Sequence, residues 1–122
     1  MIKIETKLFA ADNVGIISGK CIHVYRGSIK KTPAGVGHRI LVSVRRRTEQ
    51  FTLKKKTLLA LVVRAKRNQR RRSGIFFRFT TNRFLAFHAI DTYRGTRIRG
   101  PLAAEIEHFN LDAAVALARR LV

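Results

Sequence analysis

The chain has 122 residues, 46% of them hydrophobic, which is enough for one compact domain with its own core and too few for two domains. Cys21 is the only cysteine, so an internal disulfide is excluded and a cysteine-based zinc site would start from a single ligand. The 26 Lys and Arg residues outnumber the 7 Asp and Glu residues, and the net charge of +19 favours a polyanionic partner, nucleic acid ahead of an anionic membrane.

Short segments rich in alternating or continuous apolar residues fill the first 90 positions in the manner of β-strands. In chain order these predicted strands cover residues 2–8, 16–25, 40–44, 58–65, 75–79 and 82–90. Turn residues separate them at Asp12-Asn13-Val14-Gly15, in a Pro/Gly loop over 32–37, and at Ser73-Gly74. Because no helical pattern lies between the strands, we predict a mainly β fold, a small antiparallel barrel or sandwich.

Two of these strands predict which side chains share a face. Strand 2–8 places Ile2, Ile4 and Leu8 on an apolar face, opposite a face exposed to water. Strand 58–65 places Leu59, Leu61, Val63 and Ala65 on one face and Arg64 and Lys66 on the other. We therefore expect Arg64 and Lys66 on a surface that a ligand can reach.

The last twenty residues change to a helical period. A helical turn is predicted at 102–107, and Asn110 can cap a second helix. The second helix is expected to carry Arg119 and Arg120 in its last turn and an apolar side formed by Leu111, Val115, Ala118 and Leu121 or Val122. This amphipathic end is predicted to pack on the β-strands.

Basic residues are concentrated in the middle third of the chain, where residues 41–80 hold 13 Lys and Arg residues and 1 acidic residue. Apolar segments separate the basic clusters, so the charges belong to a folded surface rather than to a disordered tail. Arginine forks match phosphate oxygens in pairs, which predicts binding to RNA. The candidate contacts are Arg45, Arg46, Arg47, Lys54, Lys55, Lys56, Arg64, Lys66, Arg67, Arg70, Arg71, Arg72 and Arg78, together with Lys30 and Lys31.

Aromatic residues accompany one of these clusters. Phe76, Phe77 and Phe79 surround Arg78 and could form a stacking platform like those of barrels that bind single strands. Strand alternation must turn some of these rings inward, so we expect core packing for most of them.

The residues that enzymes and metal sites use are scattered along the chain. His23, His38, His88 and His108 lack the spacing of metal ligands, and Asp12 is placed to brace its own turn. Cys21 is expected to be a small buried apolar residue, with His23 two residues further along on the same strand face. We predict no catalytic residue, no metal and no cofactor. The enzymatic alternative is a ribonuclease that uses His23 and His88.

Two other kinds of site find no support in the sequence. Gly35-Val36-Gly37 lacks the further glycine and the Lys-Ser/Thr of a nucleotide phosphate loop, so it predicts a flexible connection. No apolar run approaches the ~18 residues of a membrane-spanning helix, and no membrane partner is expected.

The run from Ala60 to Ala86 resembles a known family. It reads Ala60-Leu61-Val62-Val63, nine residues, Ser73-Gly74, four residues, Phe79, two residues, Asn82, and then Leu85-Ala86. This order and spacing resemble the signature of the universal large-subunit ribosomal protein L-fourteen family. Four further segments look like the family's first turn, second strand, loop and exit motif, namely 11–15, 21–24, 34–37 and 95–101, so the resemblance covers essentially the whole chain.

The resemblance implies a small five-stranded antiparallel β-barrel over about residues 1–95 and a short α-helical C-terminal region over about 101–122, in a single domain 1–122. It implies a structural, non-enzymatic protein of the large ribosomal subunit that binds large-subunit rRNA and contacts neighbouring large-subunit ribosomal proteins. Family members also touch small-subunit rRNA in an intersubunit bridge, and some dock a ribosome-silencing factor. The exit motif supplies the expected contacts to the other subunit or a factor, here Thr96, Arg97 and Arg99.

Several positions depart from the family pattern. Leu85 stands where valine is usual, Arg72-Ser73-Gly74 replaces a Pro-Asp-Gly type of hairpin, and Leu111 stands where a lysine is often found. Lost carboxylates and added arginines favour a mitochondrial ribosome over a bacterial one. The residues themselves also fit an alternative, a free-standing RNA-binding barrel such as an RNA chaperone or a nucleoid-type protein.

Overall fold

The computed structural model describes residues 2–25, 33–49, 55–89, 92–93, 95–109 and 112–122. In chain order the strands are β1 (Lys7–Ala10), β2 (Ile16–Val24), β3 (Arg39–Arg47), β4 (Thr57–Arg64), β5 (Gln69–Arg70), β6 (Phe76–Phe77), β7 (Arg83–Ala89) and β8 (Thr92–Tyr93). A 3₁₀-helix (Ala104–Phe109) and the helix α1 (Asp112–Leu117) follow. The mainly β fold with a short helical C-terminal region is confirmed.

Five strands close into a barrel in the order β1, β2, β3, β4, β7 and back to β1. Four of the five pairings are antiparallel. The closing pairing of β1 with β7 is short and parallel, with Phe9 opposite Arg83 and Ala10 opposite Phe84. Closure gives every strand of the barrel two neighbours, so the sheet has few edges open to another chain.

Two apolar clusters lie on the two sides of β4. Leu58, Ala60 and Val62 point into the barrel, where they join Leu8, Ile40, Val42 and Phe84. Leu61 and Val63 point outward and are buried with Leu85, Phe87, Leu102 and Ile106 beneath the C-terminal region. The C-terminal region therefore packs on the outer face of β4 and β7. Of the two cations expected on an accessible face, Lys66 is exposed and Arg64 is buried.

The first predicted strand is interrupted by a turn. Ile4 was expected on the apolar face, but it is 60% exposed. Glu5 takes a φ of 76°, and the Lys3 amide donates a hydrogen bond to Thr6 Oγ1 at 3.0 Å, so the chain turns before β1 begins. Ile2 is buried through a separate bridge to Ala34.

The predicted hairpin at Ser73-Gly74 is present, but it stands apart from the barrel. Strands β5 and β6 form their own two-stranded sheet, shorter than the predicted strand 75–79. Gly74 takes a φ of 84°, and its amide donates to the Arg71 carbonyl at 2.9 Å. A short ribbon therefore projects where β4 ends.

The second C-terminal helix is shorter than predicted. It ends at Leu117, so Arg119 and Arg120 follow it instead of forming its last turn. The chain then runs beside Leu102, whose amide donates to the Arg120 carbonyl at 2.9 Å. This pairing holds residues 120–122 in an extended form. The predicted cap Asn110, Leu111 and the strand end at Ile90 lie outside the described residues.

Candidate nucleic-acid interface

A first group of exposed cations lies where β3 ends and β4 begins. We call this group, which consists of Arg45, Arg46, Arg47, Lys55 and Lys56, the strand-end cluster. The Val44 amide donates to the Lys56 carbonyl at 2.8 Å, which brings the two parts of the cluster side by side. Strand β3 is longer than the predicted 40–44, so these arginines stand on a strand paired with β2, where Arg47 lies opposite Ile16.

A second group surrounds the projecting β5–β6 ribbon. This hairpin cluster consists of the exposed side chains of Lys66, Arg67, Arg70, Arg72 and Arg78. The Lys66 amide donates to Asn82 Oδ1 at 2.9 Å, and the Phe79 amide donates to the Ala65 carbonyl at 3.1 Å. These bonds fix the base of the ribbon to the barrel. The two clusters flank the opposite ends of β4, whose 8 residues span about 26 Å.

Arg71 points away from the other arginines of the ribbon. Its Nε donates to Glu105 Oε1 at 2.7 Å, and its Nη2 donates to the Val122 carbonyl. Its guanidinium also lies 4.2 Å from the centre of the Phe77 ring. Arg71 thus ties the ribbon to the C-terminal region, and its charge already has a carboxylate partner.

Arg64 was predicted to face a ligand, but it is buried, with 8% of its surface exposed. A register shift between Val62 and Arg64 turns the side chain toward the C-terminal region. Its Nε donates to the Pro101 carbonyl at 2.6 Å and its Nη2 donates to the Arg99 carbonyl. Burial, and then the charge of Arg83, lower the pKa of the Arg64 guanidinium. In this structure the side chain therefore binds the backbone of the segment that leads into the C-terminal region.

The aromatic residues of the ribbon divide into two kinds. Phe76 is 64% exposed beside Ile75, while Phe77 and Phe79 are half-buried and pack edge to face with ring centres 5.9 Å apart. Neither half-buried ring belongs to the two apolar clusters of the barrel. One ring is therefore available to a partner, and two rings stiffen the base of the ribbon.

A third exposed site is the segment that carries Thr96, Arg97 and Arg99. Asn13 in the first turn holds it in place: Asn13 Oδ1 accepts bonds from the amides of Thr96 at 3.0 Å and Arg97 at 3.1 Å. The Asn13 Nδ2 donates to Thr96 Oγ1 at 2.8 Å. The turn was predicted from sequence. The contact across 83 positions was not, because no pattern in the neighbouring residues indicates it.

Asp12 braces its turn as predicted, since Oδ1 accepts from the Val14 amide at 3.5 Å. The second carboxylate oxygen also accepts from the Ala86 amide on β7 at 2.9 Å. The carboxylate is buried, and this burial raises its pKa despite the hydrogen bonds, which act in the opposite direction. Asp12 therefore links the first turn to the barrel wall.

Two of the candidate catalytic residues, Cys21 and His23, differ in exposure. Cys21 is fully buried, as predicted, and burial raises the pKa of its thiol. The expectation that His23 shares its strand face was wrong, because an irregularity between Cys21 and His23 leaves His23 exposed. In the ranges that the structure describes, no three His, Cys, Asp or Glu residues gather as metal ligands would.

The glycine loop makes internal hydrogen bonds. The Gly35 amide donates to His38 Nδ1 and the Gly37 amide to the Val62 carbonyl, both at 2.8 Å. These amides are therefore not offered to a phosphate. Among the described helices, none has both the length and the apolar character needed to cross a membrane.

Four candidate residues cannot be placed. Lys30, Lys31 and Lys54 lie outside the described residues, and so does the side chain of His88. Three cations that were not singled out from the sequence, Lys7, Lys20 and Arg83, instead extend the basic surface across the barrel wall. Isolated basic residues in strands give no cluster signal, so only the sheet register reveals their proximity.

Comparison with known families gives a match over residues 1–122, the whole chain, to the family model described as Ribosomal protein L14p/L23e. The match agrees with the resemblance carried by the 60–86 run and by the closed barrel.

Proposed function

Since this chain belongs to the ribosomal protein L14p/L23e family and is a protein of the large ribosomal subunit, we propose that it binds large-subunit rRNA through two separate basic clusters. The family is structural rather than enzymatic. The observation that carries the proposal is the position of the strand-end cluster and the hairpin cluster at opposite ends of β4. Two groups of exposed cations at the two ends of a strand about 26 Å long suit two stretches of a folded RNA better than one short ligand.

The distribution of carboxylates supports this proposal. Glu5 pairs with Lys20 at 3.3 Å and Glu105 pairs with Arg71 at 2.7 Å. Within the described part of the chain, the cations of the two clusters have no such partner. Mutual repulsion in a protein of net charge +19 weakens the compact state unless phosphates neutralise it. Arg64 and Arg71 are left out of the proposed contacts because both are engaged internally.

We propose that the exit segment contacts the small subunit as part of an intersubunit bridge. Thr96, Arg97 and Arg99 are exposed on a segment that Asn13 holds to the barrel, so they can be offered to a partner without further ordering. The same surface would serve a ribosome-silencing factor. Large subunits that carry Arg97→Ala and Arg99→Ala should assemble normally and join small subunits less readily in gradient sedimentation.

The compartment is part of the proposal as well. The scarcity of carboxylates and the many arginines favour a mitochondrial ribosome over a bacterial one. In the mitochondrial ribosome, neighbouring rRNA and proteins would compensate the charge. Fractionation of cells that express the tagged chain tests this directly. Recovery in mitochondrial large subunits is the expected result, and recovery in bacterial-type cytoplasmic subunits would contradict it.

The main test is sedimentation combined with the salt dependence of RNA binding. The chain should travel with large subunits on a sucrose gradient. Binding to large-subunit rRNA should weaken with salt by a log–log slope of about −7 if roughly eight phosphates are neutralised. A chain that stays in the free fractions and binds unrelated RNAs equally well would instead be a free-standing RNA-binding protein.

A further inference from the structure

An exposed phenylalanine contacts two cations on the outer wall of the barrel. Phe9 is 38% exposed at the seam where β1 meets β7. Lys7 Nζ lies 5.3 Å from the centre of its ring, and the Arg83 guanidinium carbon lies 5.5 Å from it. Both distances are within the range of a cation–π contact, so the same ring contacts two positive groups.

Arg83 is held in position before any partner arrives. It stands directly opposite Phe9 in the register of the seam. Its Nη1 donates to the Ala10 carbonyl at 3.0 Å, and its Nε donates to Thr81 Oγ1 at 3.5 Å. A half-buried guanidinium fixed at two points loses little conformational freedom when it binds an anion.

The charges around this seam favour an anionic partner. Lys7 lies directly opposite Lys20 in the pairing of β1 with β2, and like charges in that arrangement repel. Glu5 lies 3.3 Å from Lys20. Among the described residues, Lys7 and Arg83 have no such ion pair with a carboxylate. An added phosphate would relieve this repulsion.

The seam is also continuous with the hairpin cluster. Arg83 follows Asn82, whose Oδ1 accepts the Lys66 amide, and it lies opposite Arg64 in the pairing of β4 with β7. An RNA strand that contacts Lys66 can therefore reach the seam over a short distance.

We propose that Lys7, Phe9 and Arg83 form a contact for one unpaired nucleotide of the bound RNA. The phosphate lies between the Lys7 ammonium and the Arg83 guanidinium, and the base packs against the exposed part of the Phe9 ring. Unpaired RNA bases commonly pack on aromatic rings and on guanidinium planes, and a base in a duplex cannot do so. This inference rests on the proposed rRNA binding and adds a preference for a single-stranded segment.

The test compares Phe9→Leu with the wild-type chain on a labelled oligouridine of about 12 nucleotides and on an RNA duplex of similar length. Leucine keeps an apolar side chain and removes the ring, so oligouridine binding should weaken about fivefold while duplex binding stays the same. Tyr25→Leu is the matched control, because Tyr25 is an exposed aromatic residue, at 45%, whose ring packs edge to face on His23. Its oligouridine affinity should not change.

Lys7→Gln provides a second variant that cannot fail through misfolding of the core, since Lys7 is exposed. It should reduce the salt slope for oligouridine by about one unit.

If both variants bind oligouridine like the wild type while rRNA binding persists, the seam is not an RNA contact and the proposed function still stands. If the wild type binds no RNA, the proposed function fails as well. If these variants instead lose binding to polyglutamate and not to oligouridine, the seam serves an acidic protein and the proposal is overturned.

Discussion

Arg64 packs so closely against Gly100 that a β-carbon added to Gly100 would lie 2.6 Å from the Arg64 Nη2 atom. Gly100 takes a φ of 79°, and the guanidinium spans the carbonyls of the residues on either side, Arg99 and Pro101. A buried cation on β4 thus fixes the path of the segment that presents Arg97 and Arg99. The segment needs glycine at this point both for its backbone conformation and for space.

Gly100→Ala is therefore expected to destabilise the protein more than a simple loss of glycine flexibility would. Gly74→Ala is the matched control, because Gly74 also has a positive φ, 84°, but an added β-carbon would meet nothing within 4 Å. We expect a loss of about 1 kcal/mol in the free energy of unfolding for Gly74→Ala and roughly 2 to 3 kcal/mol for Gly100→Ala. Urea denaturation of both variants measures the difference, and equal losses would show that Arg64 moves aside freely.

Arg64→Met should lower stability without changing the electrostatics of RNA binding. Methionine fills much of the same volume but leaves the Arg99 and Pro101 carbonyls without their donors, which costs about 2 kcal/mol. The slope of log affinity for rRNA against log salt should stay that of the wild type, because the guanidinium is buried and bonded to the backbone. A slope flatter by about one unit would mean that Arg64 reaches a phosphate after all.

Asp12 should give the unfolding free energy a measurable pH dependence. Burial raises the folded-state pKa of Asp12 above its usual 3.8, so the folded protein holds this proton more tightly than the unfolded chain does. The contribution of protonated Asp12 to the free energy of unfolding is complete below pH 3.8 and is lost as the pH rises through the raised pKa. Asp12→Asn lacks this titration, so the stability of the wild type relative to the variant should fall with increasing pH over that window. Urea denaturation at several pH values tests this, and a relative stability that rises with pH would show that the Ala86 and Val14 amides outweigh burial.

The strand pattern and its turns were predictable because they depend on residues close together in the chain. The β-branched residues of 16–25 and the glycine of the ribbon turn each express a local preference, and the strand and the turn both appear in the structure. The direction of Arg64 was not predictable, since it depends on a register shift in β4 and on carbonyls 35 to 37 positions away. The prediction that Ile4 is buried was wrong for a related reason. A positive φ at Glu5 breaks the alternation that the side chains alone suggest.

In the candidate site, too, features that depend on neighbouring residues were predictable and features that depend on distant residues were not. Runs of consecutive arginines and lysines predict an anion-binding surface whatever the fold, so Arg45 to Arg47 could be proposed from sequence, and the structure shows them exposed. Which arginine of a run faces outward depends on whether a carboxylate of the protein binds it. For Arg71 this carboxylate is Glu105, 34 positions away in the sequence. The seam at Phe9 combines single residues from β1 and β7, which become neighbours only when the barrel closes.

The three consecutive arginines of the ribbon should therefore separate into two functional kinds. Arg70 and Arg72 are exposed, so Arg70→Gln with Arg72→Gln should flatten the salt slope for rRNA binding by about two units and leave the unfolding free energy nearly unchanged. Arg71→Gln is the matched change at the intervening residue, with the same substitution and the same loss of charge. Its ion pair is about one-third exposed on each side, so solvent screening limits the loss in stability to about 1 kcal/mol, while the salt slope changes little.

Glu105→Gln extends this comparison from the other side of the ion pair. Removal of the carboxylate frees Arg71, so this variant should lose stability as Arg71→Gln does, and the double variant should lose little more than either single change. Additive losses would mean that the two side chains do not stabilise one another. An equal effect of Arg70, Arg71 and Arg72 on the salt slope would show that the ribbon turns in the complex, and that Arg71 exchanges Glu105 for a phosphate when RNA binds.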